Sequence, residues 1–234
     1  MSEWAAKRFY KSASVEAEDT GFSVRLDGRP IRTPSKHALI LPTETMAQNI
    51  AEEWLAQEEK IDPQSMPWTR SANSAIDKVS TQRSEIEAHL IEYAGTDLLC
   101  YRAESPEALA ERQANAWGPV LDWAAKRFKT RFQITSGVMP VVQDADVTAN
   151  LRHYMQPMSD FQLTGFHDLV TLSGSYVLGV ASAESLHPAD RIWQLSRIDE
   201  DWQEEQWGVV VEASEAAQLK QNAFIHAWDF FVSA

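Results

Sequence analysis

The chain predicts an α+β fold: a small N-terminal antiparallel sheet packed with a helix, followed by a larger all-helical orthogonal bundle. Three observations predict it. Strand-like alternation is confined to the first 42 residues, where Phe22-Ser23-Val24-Arg25-Leu26 alternates apolar and polar with the period of a half-buried strand. From Thr43 onward, apolar residues recur at helical spacing. The charge changes at the same place: residues 1–42 hold seven Lys/Arg against five Asp/Glu, and the remainder holds fourteen against twenty-nine. The expected organisation is a small α/β domain over residues 1–68 and a helical bundle over 69–234. A chain of 234 residues is long enough for a sizeable core in either one or two domains.

The strands come first. Phe9-Tyr10-Lys11 begins one, and Val15 continues it. Asp27-Gly28, directly after the 22–26 run, is a two-residue hairpin signal, because that turn needs residues that tolerate positive φ. Ile31-Arg32-Thr33 is the return strand, limited by Pro34, and Leu39-Ile40-Leu41 is a further short strand closed by Pro42. Arg25, Arg29 and Arg32 form a basic edge that discourages sheet-to-sheet pairing. With one glycine and no Gly-Lys-Ser/Thr, this segment is a poor candidate for a phosphate loop.

The helices follow. Thr43 is the N-cap of the first, in which Met46, Ile50 and Trp54 recur every four residues beside Ala47, Ala51 and Leu55. Asp62-Pro63 and Met66-Pro67 stop it, since a proline drives the residue before it out of the α region. Trp68 then falls in a non-helical connector, and the next helix begins near Thr69 or Ser71. Both Trp54 and Trp68 are expected to pack in this hinge rather than hold a ligand. Ile86, Leu90 and Tyr93 mark a helix ending near Gly95. Ser105-Pro106 caps a long one carrying Leu109, Gln113, Ala116, Trp117, Val120, Ala124 and Phe128, kinked at Pro119. Residues 138–141 form a connector and 146–155 a short helix. Ser159-Asp160 caps a helix with Leu163, Phe166 and Val170. The apolar, small-residue run from Ser173 has a strand as its alternative and reads as a tightly packed buried helix; Pro188 starts the next helix, and the last runs from about Glu212 through Phe224, Trp228 and Phe231.

Composition narrows the function classes. Hydrophobic residues are 44% and charged residues 24%, an ordinary globular balance. A net charge of −13 argues against non-specific nucleic-acid binding and suits a basic partner surface. Cys100 is the only cysteine, so no internal disulfide forms, which fits a reducing compartment. The N-terminus has no apolar or Arg/Ser-rich leader, and no apolar run reaches the roughly 18 residues of a membrane span. The expected location is the cytoplasm, most simply of a bacterium. The six histidines are scattered without metal-ligand spacing, and no nucleophile-elbow, Walker or dinucleotide pattern occurs. An enzyme would have to rest on dispersed groups, such as Asp97 and His153. Capping a helix is the commoner role for an aspartate placed like Asp97.

Residues 187–208 are the most informative segment. Ile192, Leu195, Ile198 and Trp202 make one apolar stripe of an expected single helix. A second ridge carries Trp193, Glu200, Glu204 and Trp207, and Asp199 lies at the edge of the first. Residues 184–215 hold nine acids and two arginines, about half the chain's net charge. Periodicity alone favours a helix buried on two sides with a solvated acidic face. The functional reading is an acidic, tryptophan-bordered docking surface.

Motifs along nearly the whole chain carry a resemblance. They are Arg8-Phe9-Tyr10; Leu26-Asp27-Gly28-Arg29-Pro30 with Thr33-Pro34; Glu53-Trp54, Gln57, Ile61-Asp62-Pro63, Met66-Pro67, Thr69 and Asn73 to Asp77; Thr96-Asp97 with Leu99-Cys100-Tyr101-Arg102; Gln113, Trp117 and Pro119; and Asp199-Glu200, Trp202-Gln203 and Trp207-Gly208. In this order they resemble the F1-ATPase assembly chaperones that are specific for the alpha subunit of ATP synthase. Asp199 stands where some relatives carry glutamate. The resemblance implies a non-enzymatic chaperone, without metal or nucleotide cofactor, that holds unassembled alpha subunit until the beta subunit replaces it. Eukaryotic relatives are mitochondrial. It implies structural roles for Trp54, Pro67 and Asp77. It points to Asp199, Glu200, Trp193, Glu204 and Trp207 as partner contacts. A generic adaptor is the third class.

Overall fold

The computed structural model describes residues 7–137, 139 and 141–234; the connector expected at 138–141 lies partly outside them. In chain order the elements are strands β1 (Ala13–Glu18), β2 (Gly21–Leu26), β3 (Arg29–Pro30) and β4 (Ile40–Leu41), then helices α1 (Glu44–Leu55) and α2 (Pro67–Ser74). A π-turn over Ala75–Val79 leads into α3 (Ser80–Gly95). Strand β5 (Tyr101–Arg102), α4 (Glu107–Phe128), β6 (Thr135–Ser136), α5 (Ala145–Met155), α6 (Asp160–Ser173), α7 (Tyr176–Ala183), α8 (Ala189–Ser196), α9 (Ile198–Trp207) and α10 (Val211–Ser233) complete the chain. The fold is α+β, with a small antiparallel sheet at the N-terminus and a mainly helical remainder. Two compact units divide it: Met1–Arg83 with Ser159–Gly165 and Asp229–Ala234, and Ser84–Met158 with Phe166–Trp228.

In the first unit, β2 is the central strand. It pairs antiparallel with β1, with β3 and with β4. The β2–β3 turn is Asp27-Gly28, at φ 48° and 79°, the left-handed pair that such a turn requires. So tight a turn starts the return strand at once, at Arg29 rather than at Ile31. The first strand also begins later than expected, at Ala13, because the Asp27 carboxylate instead accepts the backbone N–H groups of Lys11 and Ser12.

Helix α1 lies on this sheet as its stripe predicts: Met46, Ala47, Ile50 and Ala51 join Val24, Leu39 and Leu41 in one core with Ala72 and Phe230. Thr43 is the N-cap, accepting from the Met46 N–H. Trp54 packs at the edge of this core, half-buried, with its ring 5.6 Å from that of Tyr10.

The expected start of α2 needs correction. Pro67 does not hold off the helix; it is the first helical residue, and Trp68 belongs to the first turn. A proline there loses nothing, because its missing N–H would have had no intrahelical partner. The N–H groups of Trp68 and Thr69 still need acceptors. Glu53, projecting from α1, supplies both at 2.6 and 2.8 Å and also accepts the Thr69 hydroxyl. Burial pushes the Glu53 carboxyl above its ordinary value, and the Thr69 and Trp68 donors work the other way.

Asp77 fastens the other end of this hinge. Its carboxylate accepts from the Thr33 hydroxyl at 2.7 Å, from the Ser35 N–H at 3.0 Å and lies 2.8 Å from His37 Nδ1. Burial opposes ionisation, but the Thr33, His37 and Ser35 bonds outweigh it and hold the carboxyl at about 2. Glu53 and Asp77 thus form two hydrogen-bonded joints of the hinge.

In the second unit, α4 runs unbroken through Pro119, and α7 is buried along nearly its whole length. Gly179 in α7 lets it press on α6: a Cβ there would come within 2.5 Å of the Val170 side chain. Asp97 ties the unit together as a cap at two places. It accepts the Leu99 N–H at the start of a 3₁₀ turn, and the Ser175 hydroxyl and Val177 N–H at the start of α7. Burial pushes its carboxyl up to about 6 against the Val177, Ser175 and Leu99 donors. Its distance from solvent and its three donors make it a structural group.

Candidate functional site

The expected single helix over 188–207 is two helices. Arg197, at φ −105° and ψ 6°, separates α8 from α9. Two local features break it. The Ser196 hydroxyl bonds back to the Trp193 carbonyl at 2.7 Å, and Asp199, Glu200 and Asp201 fill the first turn of a new helix. Acids are favourable at a helix N-terminus, where the macrodipole is positive. Three consecutive acids after Ser196-Arg197-Ile198 were the available signal for this start.

The break sorts the residues that the single ridge had joined. Trp193 lies in the core, 5% exposed, tilted against Phe224 at 5.7 Å, and does not reach a docking surface. Asp199 is half-buried and accepts a 2.6 Å bond from Gln113 Nε2. Gln113 Oε1 in turn accepts the Ala103 N–H at 2.7 Å, and its backbone carbonyl accepts Arg102 Nη1 at 2.6 Å. The Arg102 guanidinium sits 4.9 Å over Trp117, whose indole N–H reaches the Leu195 carbonyl at 2.7 Å. Asp199 is therefore the end of a joint between α4, β5 and α8–α9.

Glu200, Glu204 and Trp207 face a common cleft. Its second wall is Val210 of the preceding link and the start of α10, with Ala213, Ala216, Ala217 and Lys220, and its volume is about 410 Å³. Trp207 is 79% exposed, and Val209, Val210 and Val211, which follow it closely in the chain, are exposed too. Contiguous exposed apolar surface rimmed by charge marks an interaction site on a soluble protein. From Val211 to Lys220 every residue of α10 is exposed except half-buried Ala217.

Arg197 serves this acidic wall. It lies 3.2 Å from Glu200, 3.7 Å from Glu204 and 4.0 Å from Asp201, with its side chain 17% exposed. Pairs like these contribute about 0–1 kcal/mol each. Burial pushes the Asp201 carboxyl above its ordinary value; Arg197 opposes this, and Glu204, Glu200 and Glu205 reinforce it. Glu205 turns outward to a bidentate pair with Arg112 at 2.9–3.0 Å. Sequence reasoning missed Arg197 as the centre of the site, and the alanines of α10 as its far wall. A lone arginine in an acidic run carries no period that marks it.

The dispersed groups weighed for catalysis do not share a bonding network. Asp97 is spent on its caps, and His153 is exposed with Nδ1 2.8 Å from Gln156. Among the described residues, no three His, Cys, Asp or Glu side chains gather to hold a metal ion, and no helix is long and apolar enough to cross a membrane.

Known proteins resemble this chain over most of its length. Atp12 from Paracoccus denitrificans is 48% identical, with 98% of each chain covered and a TM-score of 0.93. The Atu1473 protein of Agrobacterium tumefaciens is 36% identical over 97% of this chain and 85% of that one, with a TM-score of 0.92. The mitochondrial protein atp12 of Schizosaccharomyces pombe is 22% identical over 221 residues, 89% of this chain and 76% of the relative. A profile of the ATP12 chaperone protein family matches residues 7–125. The chain belongs to the ATP12 chaperone protein family.

Proposed function

We propose that this chain is an assembly chaperone of the F1 sector of ATP synthase: it binds the unassembled alpha subunit, keeps it from aggregating, and gives it up to the beta subunit. It works in the bacterial cytoplasm, by binding rather than catalysis. The observation that carries the reading is the cleft of Glu200, Glu204 and exposed Trp207 against the free start of α10. An unassembled subunit exposes the apolar interface that it will later bury, and such a surface aggregates unless covered. Its cover must also come away, which suits a small cleft with an electrostatic wall better than an extensive dry interface. Family membership and the resemblance of the closing Asp199-Glu200, Trp202 and Trp207 motif support the same assignment.

The test is light scattering of refolding alpha subunit with and without this protein, in the absence of ATP. Suppression near stoichiometry, reduced by Glu200→Lys in a variant that melts like wild type, supports both the activity and the face. Unchanged aggregation at molar excess rejects the alpha subunit as client. Full suppression by a folded Glu200→Lys protein moves the docking face elsewhere.

A further inference from the structure

The cleft has a shape and charge that select a particular occupant. Its walls are two helices joined by a short link at Gly208–Val210, and the α10 wall is exposed over its first ten residues apart from half-buried Ala217. Ala213, Ala216 and Ala217 recur at three and four, so they share one face of α10 and leave it flat and narrow. A flat face of small side chains lets another helix approach closely, while Trp207 and Val210 offer apolar surface at the closed end.

Charge supplies the sign of the partner. Residues 197–220 carry seven acids against Arg197 and Lys220. Asp199 and Glu205 are engaged by Gln113 and Arg112. Glu200 and Glu204 are left facing the cleft, which Arg197, at 3.2 and 3.7 Å, and Lys220 also line, while Asp201, Glu212 and Glu215 keep the surrounding stretch acidic. Glu200 is exposed and Glu204 half-buried, and pairs of this kind are weak, so a second cation exchanges with Arg197 at little cost.

Resting on the assignment of this cleft as the docking face, we infer that it takes a basic amphipathic helix of the client: an apolar stripe against Ala213, Ala216 and Trp207, and lysines or arginines that displace Arg197 from Glu200 and Glu204. Arg197 is then an internal stand-in for the client's cation. It holds the two glutamates in place while the cleft is empty and competes weakly when it is filled. Helix-in-groove recognition of this kind is read through residues at i, i+3, i+4 and i+7.

The probes are three fluorescein-labelled 15-residue peptides, titrated into the full chain and followed by anisotropy at low and high salt. One has Leu and Lys at helical spacing, one has Glu in place of Lys, and one has the Leu/Lys composition rearranged to alternate. The helical Leu/Lys peptide is expected to bind best, more weakly at high salt. Ala216→Arg on the exposed face of α10, and the Glu200→Lys, Glu204→Lys pair, should each weaken it at least about tenfold while the circular dichroism melt is unchanged. Arg197→Gln should tighten it.

Equal binding of the Glu peptide or of the alternating isomer overturns the inferred occupant, as does an unchanged Ala216→Arg titration. Unchanged or weaker binding to Arg197→Gln overturns the stand-in role. The alpha-subunit aggregation assay, run on the same variants, separates the two levels. If Ala216→Arg and Glu200→Lys abolish protection while no peptide binds, the docking face holds and the helical occupant falls. If neither variant affects protection, the docking face itself falls.

Discussion

Asp199 and Gln113, 86 residues apart, meet through a 2.6 Å hydrogen bond in which the glutamine amide donates to the carboxylate. Gln113 is buried, and its Oε1 accepts the Ala103 N–H while its Nε2 serves Asp199. Asp199 and Glu200 are adjacent in sequence but have different tasks: one closes a joint, the other faces the cleft. Replacing Asp199 by Ala strands the Gln113 amide and should cost about 1–3 kcal/mol of stability. Glu200→Gln should stay within about 0.5 kcal/mol of wild type. Urea unfolding of the two variants side by side checks the division; equal losses would refute it.

Trp54→Ala should destabilise the protein by about 3 kcal/mol, the lower end for a truncated tryptophan, because the ring is half-buried at the core edge. Trp54→Phe should recover most of this by keeping an aromatic ring against Tyr10. Equilibrium denaturation decides it. A wild-type midpoint for Trp54→Ala, with alpha-subunit protection lost, would make this tryptophan a docking residue instead.

Asp77 and Asp97 give stability opposite dependences on pH. The Asp77 carboxyl is held at about 2, below its ordinary value of 3.8, so its contribution is complete above about pH 4 and fades as pH falls towards 2. Asp77→Asn should therefore be less stable than wild type at neutral pH and converge on it near pH 2. Thermal melts of both proteins from pH 2 to 7 test this; a gap that does not narrow in acid contradicts it.

Asp97 is raised to about 6, so the folded protein keeps a proton that the unfolded chain releases near 3.8. Its contribution to stability is largest below about pH 4 and declines as pH rises to about 6. Asp97→Ala should be destabilised by about 3 kcal/mol or more, since it strands the Leu99 and Val177 N–H groups in the interior. Its deficit should be larger at pH 4 than at pH 7, and a deficit that grows with pH would contradict a raised carboxyl at this position.

Local rules made part of this fold legible in the sequence. The α1 stripe, its Thr43 cap, the Asp27-Gly28 turn and the Ser159 cap of α6 each depend on residues a few positions apart. The same is true of Asp97, whose capping role follows from its place before Leu98. What escaped depends on distant partners. Pro67 reads as a stop until Glu53 arrives from α1 to satisfy the first turn of α2. Trp193 and Trp207 both lie two residues from a charge in sequence, and only the packing of Phe224 on the first tells them apart. The alanine wall of the cleft is silent for the same reason: small residues on an exposed helix have no pattern until something lies opposite.

The start of α10 carries a further consequence, for how the protein breathes. A helical stretch so exposed is held mainly by its own hydrogen bonds, and isolated segments of that length are marginal in water. Between Val211 and Lys220 the amide protons should therefore exchange with solvent rapidly, by fraying. Around Phe224 and Ala227, both buried in the same continuous helix, exchange should wait for much rarer openings. One unbroken element thus spans a steep gradient of protection, and its fast-exchanging end is the wall of the cleft. Amide exchange along α10 would report directly when that wall is covered.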